Sequence, residues 1–502
     1  MTGLPFTAEL LHGGGQPALV AGDHSLSHGT LRARVEQFVR VLRREGVQAG
    51  DRIVLASENT IEAIVGYLAT MDMGAVAVPV APTIGRDQTL EVLRRSGATT
   101  ALGPRPWIRS LVETITEPPV HPEADSITPW DTPMEEDKAA LHGARVHRKE
   151  APSTQTADTA SLMFTSGSTA APRAVTITHG NLRANTRAIV QALRLQPGDT
   201  TALALPIHYC FGASVLHTHL AVKGTVHLGG QVAYPELFLD ILESSHATGL
   251  YGVPSTFQRL LHKSTIRERS LPHLRYVAQA GGALPTELQE ELRNLPGKPK
   301  LFVMYGQTEA TARLTTLPPD RYDDKKGSVG LPVGDTEIHI VGKDGTPVGP
   351  GIEGEVMARG SGIALGYDGD SEGASRKFRD GCLYTGDRGF LDEEGFLFLR
   401  GREDSFIKVA GVRVAIATME ATLLAHPEVV EACVVREDDA LLGEAGRAHV
   451  VLRRGVALDG AQVLRECRQR APAEQVPTRI TVHESLPHTA SGKVLRTALT
   501  VR

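Results

Sequence analysis

Residues 164–174 read Phe-Thr-Ser-Gly-Ser-Thr-Ala-Ala-Pro-Arg-Ala, and the rest of the chain is organised around this stretch. It lies between an apolar run at 161–164 and a second strand-like run at 174–178, which makes it a polar loop joining two strands. Gly167 frees backbone N–H groups, Thr165, Ser166, Ser168 and Thr169 add hydroxyls, and Arg173 adds a cation. Together they form a donor set dense enough to grip an oligophosphate. Turns favour the same residue types for their own reasons, so a Ser/Thr-rich surface turn is the competing reading. The P-loop pattern of Gly, four residues, then Gly-Lys-Ser/Thr is not met, because Gly167 is followed by Ser-Thr-Ala-Ala-Pro-Arg.

Strand and helix alternate on both sides of the loop. Toward the N-terminus, Leu31, Val35, Phe38, Val39 and Leu42 follow helical spacing, Gly46 closes the helix, and 52–56 reads as a buried strand. A second helix carries Ile61, Ile64, Val65 and Leu68 and leads into a strand at 75–80. Toward the C-terminus, strands are expected at 201–205, 225–228, 248–253, 275–280 and 300–305, with helices between them. This order predicts right-handed crossovers and a largely parallel sheet covered on both faces. Between 117 and 160 the pattern gives way to Pro, charged and Ser/Thr residues, read as an irregular surface connection.

In open α/β sheets ligands sit beyond the carboxyl ends of strands. One such end is Gly281-Gly282-Ala283, either a place for a flat ring to lie against backbone or a tight turn only. Another is Tyr305-Gly306-Gln307-Thr308-Glu309, which offers an aromatic face, a hydroxyl and a carboxylate for stacking a base and holding a hard cation on phosphate oxygens. From about 328, short β runs separated by Asp344-Gly345, Pro350-Gly351 and Glu394-Gly395 predict a small barrel over about 328–400. Within it stands Tyr384-Thr385-Gly386-Asp387, where Asp387 is either a turn residue or an acceptor for two ribose hydroxyls. Residues 416–502 suffice only for a small α+β domain, with helices at 418–425 and from 462 and strands at 429–435, 448–452 and 479–483.

With 502 residues the chain has room for more than one domain, and 41% apolar with 22% charged residues is a globular composition. A net charge of −5 with scattered Lys and Arg argues against a nucleic-acid partner. Residues 1–11 lack a signal peptide's basic start and apolar core, and no apolar run approaches bilayer length, so a cytoplasmic protein without a membrane partner is expected. Cys210, Cys382, Cys433 and Cys467 lie far apart without Cys-x-x-Cys or His clusters, which reads as small core or surface residues rather than disulfides or zinc ligands.

The loop, Tyr305 to Glu309, Tyr384 to Asp387, the run Gly401-Arg402-Glu403-Asp404-Ser405-Phe406-Ile407-Lys408-Val409-Ala410-Gly411-Val412-Arg413, and Pro487-His488-Thr489-Ala490-Ser491-Gly492-Lys493 occur in one order. In that order they resemble the motifs of the adenylate-forming superfamily of acyl-CoA synthetases, peptide-synthetase adenylation domains and luciferases, over nearly the whole chain. The loop departs from the family at Ala170, Arg173 and Ala174, where Gly, Lys and Gly are usual. The alanines put its mobility in question, and Arg173 keeps the charge as a fork. The resemblance implies an α/β fold: a large N-terminal domain (1–403) of parallel-sheet subdomains plus the barrel, and a small mobile α+β lid (404–502).

The same resemblance implies roles. Thr165 to Thr169 and Arg173 hold the β and γ phosphates of ATP, Tyr305 packs by the adenine, and Thr308 touches phosphate, with Gly281, Gly282, Ala283 and Gly306 expected among the nucleotide-binding residues. Glu309 binds Mg²⁺, Asp387 takes the ribose, and Arg402 contacts the nucleotide. Asp404 is the hinge, Gly411 borders the CoA channel, and Lys493 is the catalytic cation, with Glu309 and Thr165 beside it in catalysis. His208 falls where the family places a residue gating the acyl pocket, which Phe211, Gly212, Tyr251 and Pro254 would line. Amino-acid-activating relatives place an Asp near here, whereas 205–219 contains no acid, so an acyl or aryl acid is implied. The expected reaction is ATP-dependent formation of an acyl adenylate with pyrophosphate release, then a thioester with CoA, by a monomer or homodimer. The alternatives are a ligase that loads a carrier protein and a catalytically silent nucleotide or carboxylate binder.

Overall fold

The computed structural model describes residues 5–56, 58–116, 126–131, 141–147, 158–165, 173–402, 406–409, 412–439, 441–453, 455–456, 458–488 and 494–500. Two large sheets dominate. One has nine strands, with Lys300–Tyr305, Tyr276–Gln279, Gly249–Gly252, Thr200–Ala202, Thr225–His227 and Pro17–Ala21 running parallel through its centre. The other has eight, with Thr159–Thr165, Val76–Val80, Arg52–Ala56 and Thr100–Pro104 as its parallel core. The expected strands form: Arg52–Ala56 and Lys300–Tyr305 keep their bounds, those expected at 75–80, 225–228, 248–253 and 275–280 are shorter by one or two residues, that expected at 201–205 becomes Thr200–Ala202, and the runs at 161–164 and 174–178 lengthen to Thr159–Thr165 and Arg173–Thr178.

The stretch 117–160 is corrected. It supplies two strands, Ser126–Asp131 and Leu141–His147, which pair antiparallel and extend the second sheet beyond Thr100–Pro104. Ser126–Asp131 is the outermost strand, where Pro129 is tolerated because one edge of the backbone needs no ladder partner.

The helix Ile61–Asp72 is buried on every face from Ile61 to Met71, wider than the four-residue stripe its sequence marks. It belongs to one apolar cluster that takes Ile53, Leu55 and Ala77 from one sheet and Leu19, Leu203 and Val226 from the other, so it is packed from both sides. Thr60 caps its start, accepting from Ala63 N at 3.2 Å.

The segment expected as a barrel forms a five-stranded antiparallel sheet from Glu337–Val341, Gly354–Arg359, Cys382–Leu391, Phe378–Arg379 and Leu397–Arg402. Its pairings do not close into a ring, since the two-residue Phe378–Arg379 pairs only with Cys382–Leu391. A fourth sheet holds Phe406–Val409, Val412–Ala415, Gly443–Leu452, Val429–Asp439 and Arg479–His483, with helices Ile416–Leu424 and Gly460–Arg470. No described strand of this last sheet pairs with one before residue 403. The four cysteines are free thiols. Among the described residues no helix is long and apolar enough to cross a membrane.

Charge is buried sparingly. Arg52, 2% exposed, donates Nη1 to Asp368 Oδ2 at 2.7 Å and Nη2 to Oδ1 at 2.9 Å, and Nη1 also reaches Ser96 O at 2.6 Å. The forked pair fixes the chain beside Tyr367 against the centre of the sheet.

The helix Cys210–Ala221 buries two histidines and follows a third. Burial pushes His208 down to about 4, His217 to about 3 and His219 to about 4, with Val215 O opposing the shift at His219. The unfolded chain takes up protons on these rings near 6.5, whereas the folded chain does not until about 4, so stability is lost as pH falls through that window. Three such rings remove about 4 kcal/mol per pH unit at most, an order-of-magnitude figure. The thermal midpoint is expected to fall steeply between pH 6.5 and 4.5, and calorimetry showing a flat midpoint there would contradict this burial.

Candidate active site

The site grows from the carboxyl end of Lys300–Tyr305. Its backbone turns back so tightly that a Cβ on Gly306 would lie 2.0 Å from Ala312 O, which restricts the position to glycine. Thr308–Ala310 follows as one 3₁₀ turn and brings Glu309 inward, 7% exposed. Thr308 Oγ1 lies 3.5 Å from Cys210 Sγ, at the start of the helix Cys210–Ala221.

Two tyrosines fix the carboxylates here. The Tyr305 hydroxyl donates to Asp387 Oδ2 at 2.6 Å, and Arg402 Nε donates to Asp387 Oδ1 at 3.0 Å. Asp387 and Arg402 face each other in register on Cys382–Leu391 and Leu397–Arg402. The Tyr367 hydroxyl donates to Glu309 Oε1 at 2.6 Å. Burial and the neighbouring carboxylate raise Tyr367, which stays a neutral donor. Lys377 Nζ lies 3.6 Å from Glu309 Oε1 and donates to Thr385 O at 3.1 Å and Gln307 Oε1 at 3.3 Å. It ties the Glu309 turn to the strand that carries Asp387, so the two carboxylates belong to one site.

Across the Tyr367 ring, 5.1 Å from its centroid, sits the guanidinium of Arg173, which pairs with Asp370 at 3.2 Å. Thr165 and Arg173 are register partners on the antiparallel strands Thr159–Thr165 and Arg173–Thr178, and Thr165 Oγ1 reaches Arg173 O at 3.5 Å. Thr165 and Arg173, the described residues on either side of 166–172, are thus neighbours, and Arg173 lies beside Tyr367. Ser166, Gly167, Ser168, Thr169 and Ala170 themselves lie outside the described residues. Ala174 lies inside the strand, opposite Phe164 and in an apolar cluster with Leu162 and Val78, where an alanine needs none of glycine's freedom.

Gly281, Gly282 and Ala283 are exposed after Tyr276–Gln279, the parallel neighbour of Lys300–Tyr305. Gly281 has φ +83°, and Gln279 Nε2 donates to Gly282 O at 2.6 Å. They lie at the same sheet edge as Tyr305.

On the other side of Thr308, Phe211 packs edge-on to Tyr251 at 6.4 Å, and the Tyr251 and Tyr276 hydroxyls are 2.9 Å apart. Tyr251 is thus a wall behind Phe211, its hydroxyl engaged with another phenol. A Cβ on Gly212 would sit 2.2 Å from Pro206 O, so glycine is required for the helix to start this close to the preceding loop. His208 is 8% exposed and neither ring nitrogen has a partner among the described residues, while its ring lies 4.3 Å from that of Tyr209.

Asp404, Gly411 and Lys493 also lie outside the described residues. The base of the Lys493 loop is described: His488 bridges Val494, Leu495 N donates to Pro487 O at 2.7 Å, and His488 Nε2 is 3.2 Å from Glu431 Oε2. Glu431 lies on Val429–Asp439, which packs against the helix Pro254–Lys263, and the charges of His488, Arg259 and Lys263 hold its carboxyl low against burial. That helix begins three residues after Tyr251.

Tyr367 and Lys377 were not signalled by the sequence. Tyr367 stands in a bare Gly-Tyr pair and Lys377 in a run of basic residues, and neither carries a motif of its own.

The chain is similar to known proteins along nearly its whole length. The family described as AMP-binding enzyme matches residues 8–368, and the one described as AMP-binding enzyme C-terminal domain matches 418–493. The chain is 29% identical over 488 residues to probable CoA ligase CCL9 of Humulus lupulus, covering 95% of this chain and 91% of that protein. It is 28% identical over 481 residues to a feruloyl-CoA synthase of an Amycolatopsis species, covering 95% and 93%. Among solved structures it is similar to o-succinylbenzoate CoA synthetase (MenE) of Bacillus subtilis in complex with the acyl-adenylate intermediate, with TM-score 0.80, 26% identity, and 99% and 98% coverage. The same enzyme with ATP and magnesium ion gives TM-score 0.79, 26% identity and 99% coverage of both chains.

Proposed function

The chain belongs to the AMP-binding enzyme family, and from that premise we propose that it is an ATP-dependent acid:CoA ligase whose chemistry is centred on Tyr305, Glu309, Tyr367 and Asp387. It activates a carboxylic acid as an acyl adenylate, releasing pyrophosphate, and passes the acyl group to the CoA thiol. The observation that carries the assignment of residues is the single hydrogen-bonded unit in which Tyr305 and Arg402 hold Asp387 while Tyr367 and Lys377 hold Glu309.

A carboxylate attacking the α-phosphorus meets like charge, so the residues act by positioning and by electrostatics. Asp387, its two oxygens aligned by Tyr305 and Arg402, accepts from the ribose hydroxyls and fixes the nucleoside. Magnesium, when bound, draws charge from the phosphate oxygens and orients them. Glu309 fits that ion: Tyr367 and Lys377 occupy its Oε1 side, and no described protein donor bonds Oε2. Thr308 and the loop from Thr165 to Arg173 bind phosphate oxygens, and Lys493 supplies a cation at the reacting oxygens. His208, neutral because burial pushes it to about 4, offers one donor and one acceptor at the acyl end.

The lid is 404–502, turning about Asp404, with Gly411 bordering the path of the incoming thiol. Support comes from the separate pairing of the last sheet and its packing on the helix Pro254–Lys263. The acid is acyl or aryl, since residues 205–219 offer no carboxylate to an ammonium group. The reaction takes place in the cytoplasm, the compartment that supplies ATP and CoA.

The test is acid-dependent exchange of labelled pyrophosphate into ATP across a panel of carboxylic acids, followed by loss of free thiol on adding CoA. Exchange and thiol loss with the same acid are expected. Exchange without thiol loss would redirect the second step to a carrier protein, and no exchange with any acid would leave only a binder.

A further inference from the structure

Two arginines are almost fully enclosed, and they differ in one respect. Arg52 is clasped by Asp368. Arg313, also 2% exposed, makes no ion pair and no side-chain hydrogen bond with any described residue. Its Cζ lies 5.1 Å from the centroid of the Phe211 ring, and the titratable side chains near enough to act on it are the Cys210 thiol and the Tyr251 phenol. Burial pushes it down to about 10, which leaves it cationic at neutral pH.

The backbone that carries the cation is held in place. Asn185 clamps its backbone from both sides, donating Nδ2 to Arg313 O at 2.8 Å and accepting Arg313 N on Oδ1 at 3.2 Å. Just before it, Thr311 has φ +63° and ψ −57°, with Ala312 N donating to Ala310 O at 2.6 Å, a γ-turn of the strained hand that a β-branched residue rarely adopts. Thr311 Oγ1 secures the turn by donating to Gly362 O at 2.7 Å. A guanidinium buried on a fixed backbone with no counter-ion among the described residues is costly in the empty protein and becomes favourable when an anion arrives.

Its surroundings identify which anion. Arg313 lies against the Phe211 ring, which packs edge-on to Tyr251 and follows Cys210, the contact of Thr308, while Arg173, Lys377 and Arg402 pair with Asp370, Glu309 and Asp387. Resting on the ligase reading above, we infer that Arg313 forms an anion subsite at the acyl end of the pocket, and that the acid this protein activates carries a second carboxylate there. The reacting carboxyl then lies toward Thr308 and the distal one against the guanidinium fork.

The test uses matched trios in the pyrophosphate exchange assay: succinate, succinamate and butyrate, and terephthalate, terephthalamate and p-toluate. The wild type is expected to favour the dicarboxylate over its neutral partners by about 30-fold or more in kcat/KM, because a site built for a charge rejects analogues that leave it unpaired. Arg313→Met should reverse the ranking and raise Tm, since it removes an uncompensated buried charge, and Arg313→Lys should keep the preference in weaker form. A residue with only a structural role would lower Tm on substitution and slow every acid alike, and that result overturns the subsite. Exchange with the neutral-ended acids alone leaves the ligase reading intact and overturns only the subsite. Exchange with neither series overturns both.

Discussion

Lys493→Ala is expected to slow acyl-adenylate formation about 1,000-fold while leaving ATP affinity within a few-fold of wild type. The described cations at the nucleotide end of the site are each committed to a carboxylate: Arg173 to Asp370 at 3.2 Å, Lys377 to Glu309 at 3.6 Å and Arg402 to Asp387 at 3.0 Å. Each pair screens its own charge from the reacting centre, so the negative charge that builds between carboxylate and α-phosphate calls for a cation brought from elsewhere. His488, Val494 and Leu495, on either side of 489–493, pair with each other on a sheet that packs against the helix Pro254–Lys263, which begins three residues after Tyr251. The proposed mechanism uses that cation in the first step only, so CoA should still consume a presynthesised adenylate at close to the normal rate. Rapid-quench measurement of both half-reactions separates them. Equal loss in both would reassign Lys493 to folding, and normal exchange would remove it from the mechanism.

The candidate-site residues legible in the sequence are those that sit in contiguous motifs at strand ends. Tyr305 to Glu309 and Tyr384 to Asp387 each place several chemical groups within five residues, and a strand that stops there can only present them to the crevice beyond the sheet. It did not reveal what holds them. Tyr367 lies 58 residues from Glu309, and Lys377 reaches Gln307 across 70. Neither is distinguishable from an ordinary surface tyrosine or lysine until the sheets are assembled. The fold divides the same way. Buried parallel strands announce themselves as apolar runs, whereas Ser126–Asp131 contains Pro129 and polar residues because one of its edges has no ladder to make.

Arg52 and Arg313 make the point most sharply. Both sit beside apolar residues, in Arg-Ile-Val-Leu-Ala and Thr-Ala-Arg-Leu, and nothing local separates them. The partner that neutralises Arg52 lies 316 residues away, and the lack of one at Arg313 is a property of the whole packed structure. The feature that bears most on substrate choice is therefore the one a linear reading was least able to see.

Glu309→Gln is expected to lower adenylation by about 100-fold or more and to raise the magnesium concentration needed for half-maximal exchange. The amide keeps the shape and an acceptor for the Tyr367 hydroxyl, which now donates to Oε1 at 2.6 Å, so the turn at Thr308–Ala310 should hold its position. What it loses is the charge, and a hard dication discriminates strongly between an anionic and a neutral oxygen. Lys377 keeps Thr385 O and Gln307 Oε1 as acceptors, which limits any loss of Tm. Tyr367→Phe provides the contrast: it removes the hydroxyl and leaves the carboxylate, so its rate should fall far less and its magnesium dependence should stay close to wild type. Should the two variants show the same unaltered magnesium dependence, Glu309 would be a packing partner of Tyr367, and the metal would have to be held by other oxygens of the site.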